Sequence, residues 1–334
     1  LPVPDPRRRS DLPDHRADPL AGLLQLPGVA ETVGETRRAV DAVIGHRVLR
    51  QRSGEVSSES ALRGAWASAV LDGSSATLEQ VHESLAPLAS PGDRTDGDDG
   101  YGDNDDHRDH GHEDHGHEDH GHQADGPIML PLPPRASAGG AAPAASVGRV
   151  TDDPILQGAL RVSAALGTLA DTWSRAPRQV LARLHVLAAA DLVDPADAQE
   201  RLGRPQSGPD AAEIAARLDA LATLLSPGGT AAPAGVLAAI VQGELLALRP
   251  FGTADGVVAR AAARLTFVER GLDPKSLMAL EVGQLELREE FDEALDGYRT
   301  GTSAGVARWI VFCGRADVLG ARETLAICEA LQRG

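Results

Sequence analysis

An all-α fold is predicted for this chain of 334 residues, and two features predict it. Aromatic residues make up only 3% of the sequence (four Phe, three Trp, two Tyr), so a large core must be built from Ala, Leu and Val. Such a core suits close-packed helices better than a sandwich or barrel. The apolar spacing is helical nearly everywhere, and the alternation of half-buried strands is absent.

In chain order, residues 30–50, 60–68 and 77–88 carry helical spacing, and after a long low-complexity stretch the pattern resumes over 159–192. Ile214, Leu218, Leu221 and Leu225 form one stripe on a helix that ends at Ser226-Pro227-Gly228-Gly229. A helix opening near Pro233 runs through Val236, Leu237, Ile240, Leu245 and Leu248 until Pro250 stops it. The next begins near Gly256, turns Val257, Val258, Ala261, Leu265 and Val268 inward, and stops at Gly271. Residues 285–298, 306–313 and 317–331 supply the last helical segments.

Charge locates the low-complexity stretch. Lys and Arg number 32 against 49 Asp and Glu, a net charge of −17, which argues against a nucleic-acid partner. Thirteen of the acids and only two arginines lie between Asp93 and Gly126. That tract repeats with period five (Asp109-His110-Gly111-His112-Glu113 and onward) and runs into a Pro/Ala/Gly-rich segment. Such a composition buries too little apolar surface to offset chain entropy. The expected organisation is therefore a disordered N-terminus (1–17), an N-terminal helical region (18–89), a disordered insertion (90–149) and a helical core (150–334). Seven of the eleven histidines, His107, His110, His112, His115, His117, His120 and His122, stand in the tract beside carboxylates. Neutral imidazoles in that setting ligate Zn²⁺, Ni²⁺ or Cu²⁺, and protons compete for the same lone pairs below about pH 6. A solvated linker needs no metal to explain it, so both readings stand. The two cysteines, Cys313 and Cys328, supply no disulfide framework. With no secretory signal and no spanning apolar run, a cytoplasmic location and no membrane partner are expected.

The junction between the two central helices is where chemistry is expected, because a tight loop feeding a helix N-terminus presents backbone N–H groups to anions. It reads Leu248-Arg249-Pro250-Phe251-Gly252-Thr253-Ala254-Asp255-Gly256-Val257-Val258-Ala259-Arg260. This resembles the signature of the Fic (Fido) family, HPFxDGNGRxxR. Four other stretches, in the family's order, resemble it too. The segment from Asp18-Pro19-Leu20 to Arg50 looks like the N-terminal helical region of longer Fic proteins. Ser68, Asp72 and Gly73, with Thr77-Leu78-Glu79-Gln80-Val81 after them, are similar to the inhibitory helix, SxxxEG followed by TLEEV. Leu181-Ala182-Arg183-Leu184-His185 through Arg201-Leu202-Gly203-Arg204 resembles the LxxLH helix and its G-x-[FY]-R segment, and Arg308-Trp309-Ile310 with Phe312 the closing helix. The implied fold is a Fic-type helical bundle.

Family members transfer AMP, or another phosphate-containing group, to a protein hydroxyl. The signature His takes the proton, the acid holds Mg²⁺, Gly-Asn-Gly forms the anion hole, and two arginines contact phosphates. Here Arg249 replaces the His, Thr253 the acid, Ala254 and Asp255 the Gly-Asn pair, and Val257 the first arginine; Pro250, Phe251, Gly256 and Arg260 remain. A guanidinium cannot accept a proton, which forfeits roughly 10²- to 10⁴-fold of general-base help. A carboxylate at 255 facing phosphates at roughly 5 Å would cost about 3 kcal/mol per unit charge at an effective dielectric of about 20. No confident catalytic residue results, and ATP with Mg²⁺ is a poor fit.

Simpler roles stand beside the functional ones. Asp255 is first of all an N-cap for the helix behind it, Arg249 a surface helix end, His185 a hydrogen-bonded core histidine, and Trp309 and Phe312 core. Ser68 has no nearby base and is no nucleophile. The leading expectation is a catalytically degenerate Fic-fold protein acting as a regulatory or binding module with a protein partner; a homodimer stays open. One alternative is a divergent nucleotidyl- or phosphate-group transferase using Thr253, Asp255, Gly256 and Arg260, and another is a metal-binding protein working through the His tract. Asp72 and Arg260, at the positions of the family's inhibitory pair, are expected to form a mostly buried ion pair.

Overall fold

The computed structural model of the chain describes residues 18–89 and 151–333. The expected disordered segments 1–17 and 90–149, with all seven histidines of the acidic tract, lie outside the described residues. Those described form an all-α fold with no strand.

A short 3-10 turn, Ala21–Gln25, precedes α1 (Val29–Ile44), α2 (Leu49–Leu71) and α3 (Leu78–Ala89). Then come α4 (Pro154–Trp173), α5 (Pro177–Ala189), the single turn α6 (Ala198–Arg201) and α7 (Ala211–Leu225). The series closes with α8 (Ala234–Leu248), α9 (Asp255–Glu269), α10 (Leu280–Glu286), α11 (Arg288–Arg299) and α12 (Ser303–Arg333). The apolar α8 and α9 pack on each other at the centre: α4, α5 and α2 lie against α9, while α12 and α11 lie against α8. Ten residues of α8 and twelve of α9 are buried, so neither helix can move without disturbing the core beneath the loop that joins them.

Five boundaries differ from the sequence-based expectation, and one of them is 285–298, which spans the end of α10 and all but the last residue of α11 with a break at Leu287. The span 159–192 breaks at 174–176, because Pro177 opens a new helix at its first turn. Segments 306–313 and 317–331 are one continuous helix, α12; its Gly314 marks a close approach instead of an end. A Cβ there would lie 1.9 Å from Thr32 Cγ2 of α1. Gly314→Ala should therefore cost about 1–3 kcal/mol by overpacking, read as a fall in the urea midpoint with an unchanged slope. α1 ends at Ile44 instead of 50, where Gly45 caps it. α2 starts eleven residues earlier than predicted, at Leu49. Its inward positions, Val56, Ser60, Gly64, Ala67 and Ser68, are small or polar, so the hydrophobic period is nearly invisible there. Ser60 is nonetheless fully buried, and its hydroxyl donates to the Leu277 carbonyl at 2.5 Å. The scarce aromatics are concentrated where α8, α11 and α12 meet: Trp309 is stacked on Phe312, Phe291 meets both edge-on, and the indole N–H donates to the Ala239 carbonyl at 2.7 Å.

Candidate functional site

The α8–α9 loop is tight because both ends turn left-handed. Arg249 closes α8 at φ 47° and Ala254 stands before α9 at φ 54°, so each non-glycine residue takes a conformation that costs about 1 kcal/mol. Local bonds hold it. The Phe251 N–H donates to Asp255 Oδ1 at 2.9 Å, the Gln206 N–H to the Pro250 carbonyl at 2.8 Å, and the Gln206 side-chain amide to the Arg249 carbonyl at 2.7 Å.

Asp255 is therefore not the N-cap expected from the sequence. It is the first residue of α9, and its carboxylate reaches back to the loop instead of forward to the helix amides. The left-handed Ala254 turns the chain so that a side chain at 255 faces Phe251. Asp255 is 7% exposed, and its second oxygen, Oδ2, is buried without a hydrogen bond. Burial pushes its pKa up from 3.8 to about 6, against the Phe251 and Gly252 N–H groups and the Arg249 charge, which favour ionisation. The folded state keeps this proton longer than the unfolded chain does. Its contribution is therefore full below about pH 4 and is lost as pH rises through about 6. Asn would keep the acceptor for the loop amides with no buried charge. Asp255→Asn should match the parent at pH 4 and exceed it at pH 7 by at most about 3 kcal/mol, a difference measurable by urea titration at the two pH values.

Phe251 points inward and stacks flat on His185 of α5, with ring centroids 4.3 Å apart and planes 7° from parallel. His185 Nδ1 accepts from the Gly203 N–H at 2.9 Å, and Nε2 is buried with no hydrogen bond. Burial lowers the pKa of this ring to about 4, outweighing a contact with the Thr253 backbone, while the Arg201 charge lowers it further. It is a neutral core histidine and no exposed base. Thr253 is half-buried, and its hydroxyl accepts from Arg201 Nη2 at 3.2 Å. A cation therefore sits at the position where the family resemblance places a Mg²⁺-binding acid, and these residues do not fit Mg²⁺.

The N-terminus of α9 is occupied from across the fold. Ser68 and Asp72 lie four residues apart on one face at the end of α2, and Gly73 follows at φ 103°. Asp72 Oδ2 accepts from the Val257 N–H at 3.1 Å, and Oδ1 accepts from Arg260 Nη2 at 2.5 Å. Arg260 also donates from Nε to Ser68 Oγ at 2.8 Å and from Nη2 to the Ser68 carbonyl at 2.9 Å. The expected Asp72–Arg260 pair is thus present, with side-chain exposures of 19% and 2%. Gly256 is the residue that lets the carboxylate in: a Cβ there would stand 2.1 Å from Asp72 Oδ1. One amide of this helix end, the Val257 N–H, thus holds an internal carboxylate.

No family model and no curated protein matches the chain. Its fold is similar to the crystal structure of a Fic family protein from Desulfovibrio desulfuricans G20, with a TM-score of 0.58 over 90% of this chain and 75% of that one, at 17% identity. The chain has a Fic-like fold. Within the Fic-like fold, the structure brings Arg249, Pro250, Phe251, Thr253, Ala254, Asp255, Gly256, Val257 and Arg260 together with Ser68, Asp72 and Gly73 around one loop. Arg201 and Gln206 also reach the loop, from the segment after α5. Nothing in their spacing marks them; only the resemblance of 201–204 to a family segment points to that stretch. Among the described residues no group of three or more His, Cys, Asp or Glu could hold a metal ion, and no helix is long and apolar enough to cross a membrane.

Proposed function

We propose that this chain is a catalytically degenerate Fic-type protein that works as a regulatory or binding module without AMP transfer. The observation that carries the reading is the Asp72 carboxylate seated on the α9 N-terminus and tied to Arg260. A phosphate arriving there would meet the Asp72 carboxylate on the Val257 amide, and the last arginine of the signature is already committed to that carboxylate. Proton abstraction has no evident agent either. Arg249 is cationic, His185 is buried, and the unbonded oxygen of Asp255 is buried.

Radiolabelled ATP with Mg²⁺ or Mn²⁺ tests this directly. No label should pass to the protein itself or to a lysate, either from the parent chain or from Asp72→Asn, which weakens the internal anion. Calorimetry with common nucleoside triphosphates should give no heat of binding. Label transfer abolished by Arg260→Ala would establish a divergent transferase instead.

A further inference from the structure

We propose that the cavity between α8, α9, α10 and α12 is a binding site for one internal water molecule, which ties Arg260 to the carboxyl of Asp317. The cavity measures about 10 Å³, close to the least space that holds a single water. It exists because α8 and α9 line it with Ala238, Ala239 and Ala263, whose side chains are too short to fill it. What makes it a site is the set of polar groups that its walls leave over.

A guanidinium carries five N–H donors, and at Arg260 the protein uses those of Nε and Nη2. Nε donates to Ser68 Oγ at 2.8 Å, and Nη2 to the Ser68 carbonyl at 2.9 Å and to Asp72 Oδ1 at 2.5 Å. Nη1 donates to no acceptor among the described residues, although the side chain is only 2% exposed. Asp317, from α12, is buried and makes no hydrogen bond or ion pair among the described residues. Glu281, from α10, has its Oε2 buried without a hydrogen bond, with Arg264 Nη1 3.6 Å away. Arg260, Asp317 and Glu281 all line this one cavity. Gln242 and Gln284 line it too, but their amides bond to each other, at 2.9 and 3.0 Å, and to none of the three.

One water supplies what these groups lack. Its oxygen accepts from Arg260 Nη1, and its two protons go to the carboxyls of Asp317 and Glu281, which matches the roughly three hydrogen bonds typical of a buried water. Asp317 serves in either protonation state, since a carboxyl keeps an acceptor oxygen in both. A monovalent cation is the poorer occupant, because Arg260 already brings a positive charge to the cavity. The consequence is positional. Ser68 and Asp72 hold two nitrogens of the guanidinium from the end of α2, and the water holds the third from α10 and α12. The last arginine of the signature is then fixed at every nitrogen.

The test combines a high-resolution crystal structure of the full chain with magnetic relaxation dispersion of water in solution, which counts long-lived internal molecules. Expected in the crystal is one ordered water within about 3.2 Å of Arg260 Nη1 and of a carboxyl oxygen of Asp317 or Glu281. In solution, Asp317→Asn keeps an acceptor at nearly constant shape and should leave the count of long-lived waters unchanged. Asp317→Leu, apolar and of similar size, should lower the count by one, with Tm reporting that the variant is folded. A cavity without ordered density, or an unchanged count in folded Asp317→Leu, overturns the proposal. So does a rubidium ion located in the cavity of a soaked crystal by its anomalous scattering. Should Asp317→Leu fail to fold, the crystal structure of the parent chain decides alone.

Discussion

Asp72→Ala is expected to destabilise the fold by about 3–5 kcal/mol, the cost of leaving a buried charge without its partner. The Arg260 side chain is 2% exposed, and the remaining contacts with Ser68 Oγ and the Ser68 carbonyl satisfy hydrogen bonds without neutralising the charge. The variant also strips the Val257 N–H of its acceptor at the start of α9. Chemical denaturation near neutral pH measures the effect. A loss of about 1 kcal/mol or less would mean that water reaches the pair and screens it as it screens a surface ion pair. Asp72→Asn keeps an acceptor for Val257 and should fall between Asp72→Ala and the parent chain. The result bears on function because the tie joins α2 to α9, and with it the segment before residue 90 to the loop at the centre of the later one.

The second large effect concerns an acid that no motif singles out. Asp317, 5% exposed on α12, makes no hydrogen bond or ion pair among the described residues and lines a cavity of about 10 Å³ between α8, α9, α10 and α12. Burial raises its pKa well above the usual 3.8. The charged or titratable groups sharing the cavity are Arg260 from α9, Glu281 from α10 and Cys313 one turn earlier on α12, with the amides of Gln242 and Gln284 bonded to each other at 2.9 and 3.0 Å. Glu281 faces Arg264 at 3.6 Å, and Arg260 is held by Asp72, so no cation is free to stabilise an ionised Asp317. The folded state therefore keeps a proton that the unfolded chain releases. Its contribution is complete below about pH 4 and declines by about 1.4 kcal/mol for each pH unit above that, until the folded carboxyl itself ionises. Asp317→Asn removes the titration at nearly constant shape. It should match the parent at pH 4 and gain on it as pH rises from there, and parallel stability curves would contradict this account. The two sites are also coupled. In Asp72→Ala an ionised Asp317 would share the cavity with an Arg260 left without its acid, so the double variant Asp72→Ala/Asp317→Asn should lose more than the sum of its singles.

The sequence by itself determined the fold class and the position of the loop. Helices α7, α8 and α9 are legible because each is amphipathic or wholly apolar and is bounded by Pro or Gly, and local spacing reports burial whenever the buried side chains are large. Where burial is achieved with small or polar groups, the same signal fails. The first turns of α2 and the unbroken path of α12 through Gly314 belong to this class, since a glycine chosen for close contact with Thr32 cannot be told from one chosen to end a helix. The partnership of Asp72 and Arg260 was legible through a resemblance, but what the carboxylate does there was not. That Oδ2 lies on the Val257 amide depends on how the end of α2 meets the start of α9, 185 residues later. The direction of Asp255 was likewise decided by tertiary structure. A left-handed Ala254, held in a loop braced by Gln206, turns a carboxylate that local preference would aim at the helix amides back onto Phe251. Spacing encodes which face is buried; which groups meet on that face is set by backbone approach, and that is a property of the packed chain.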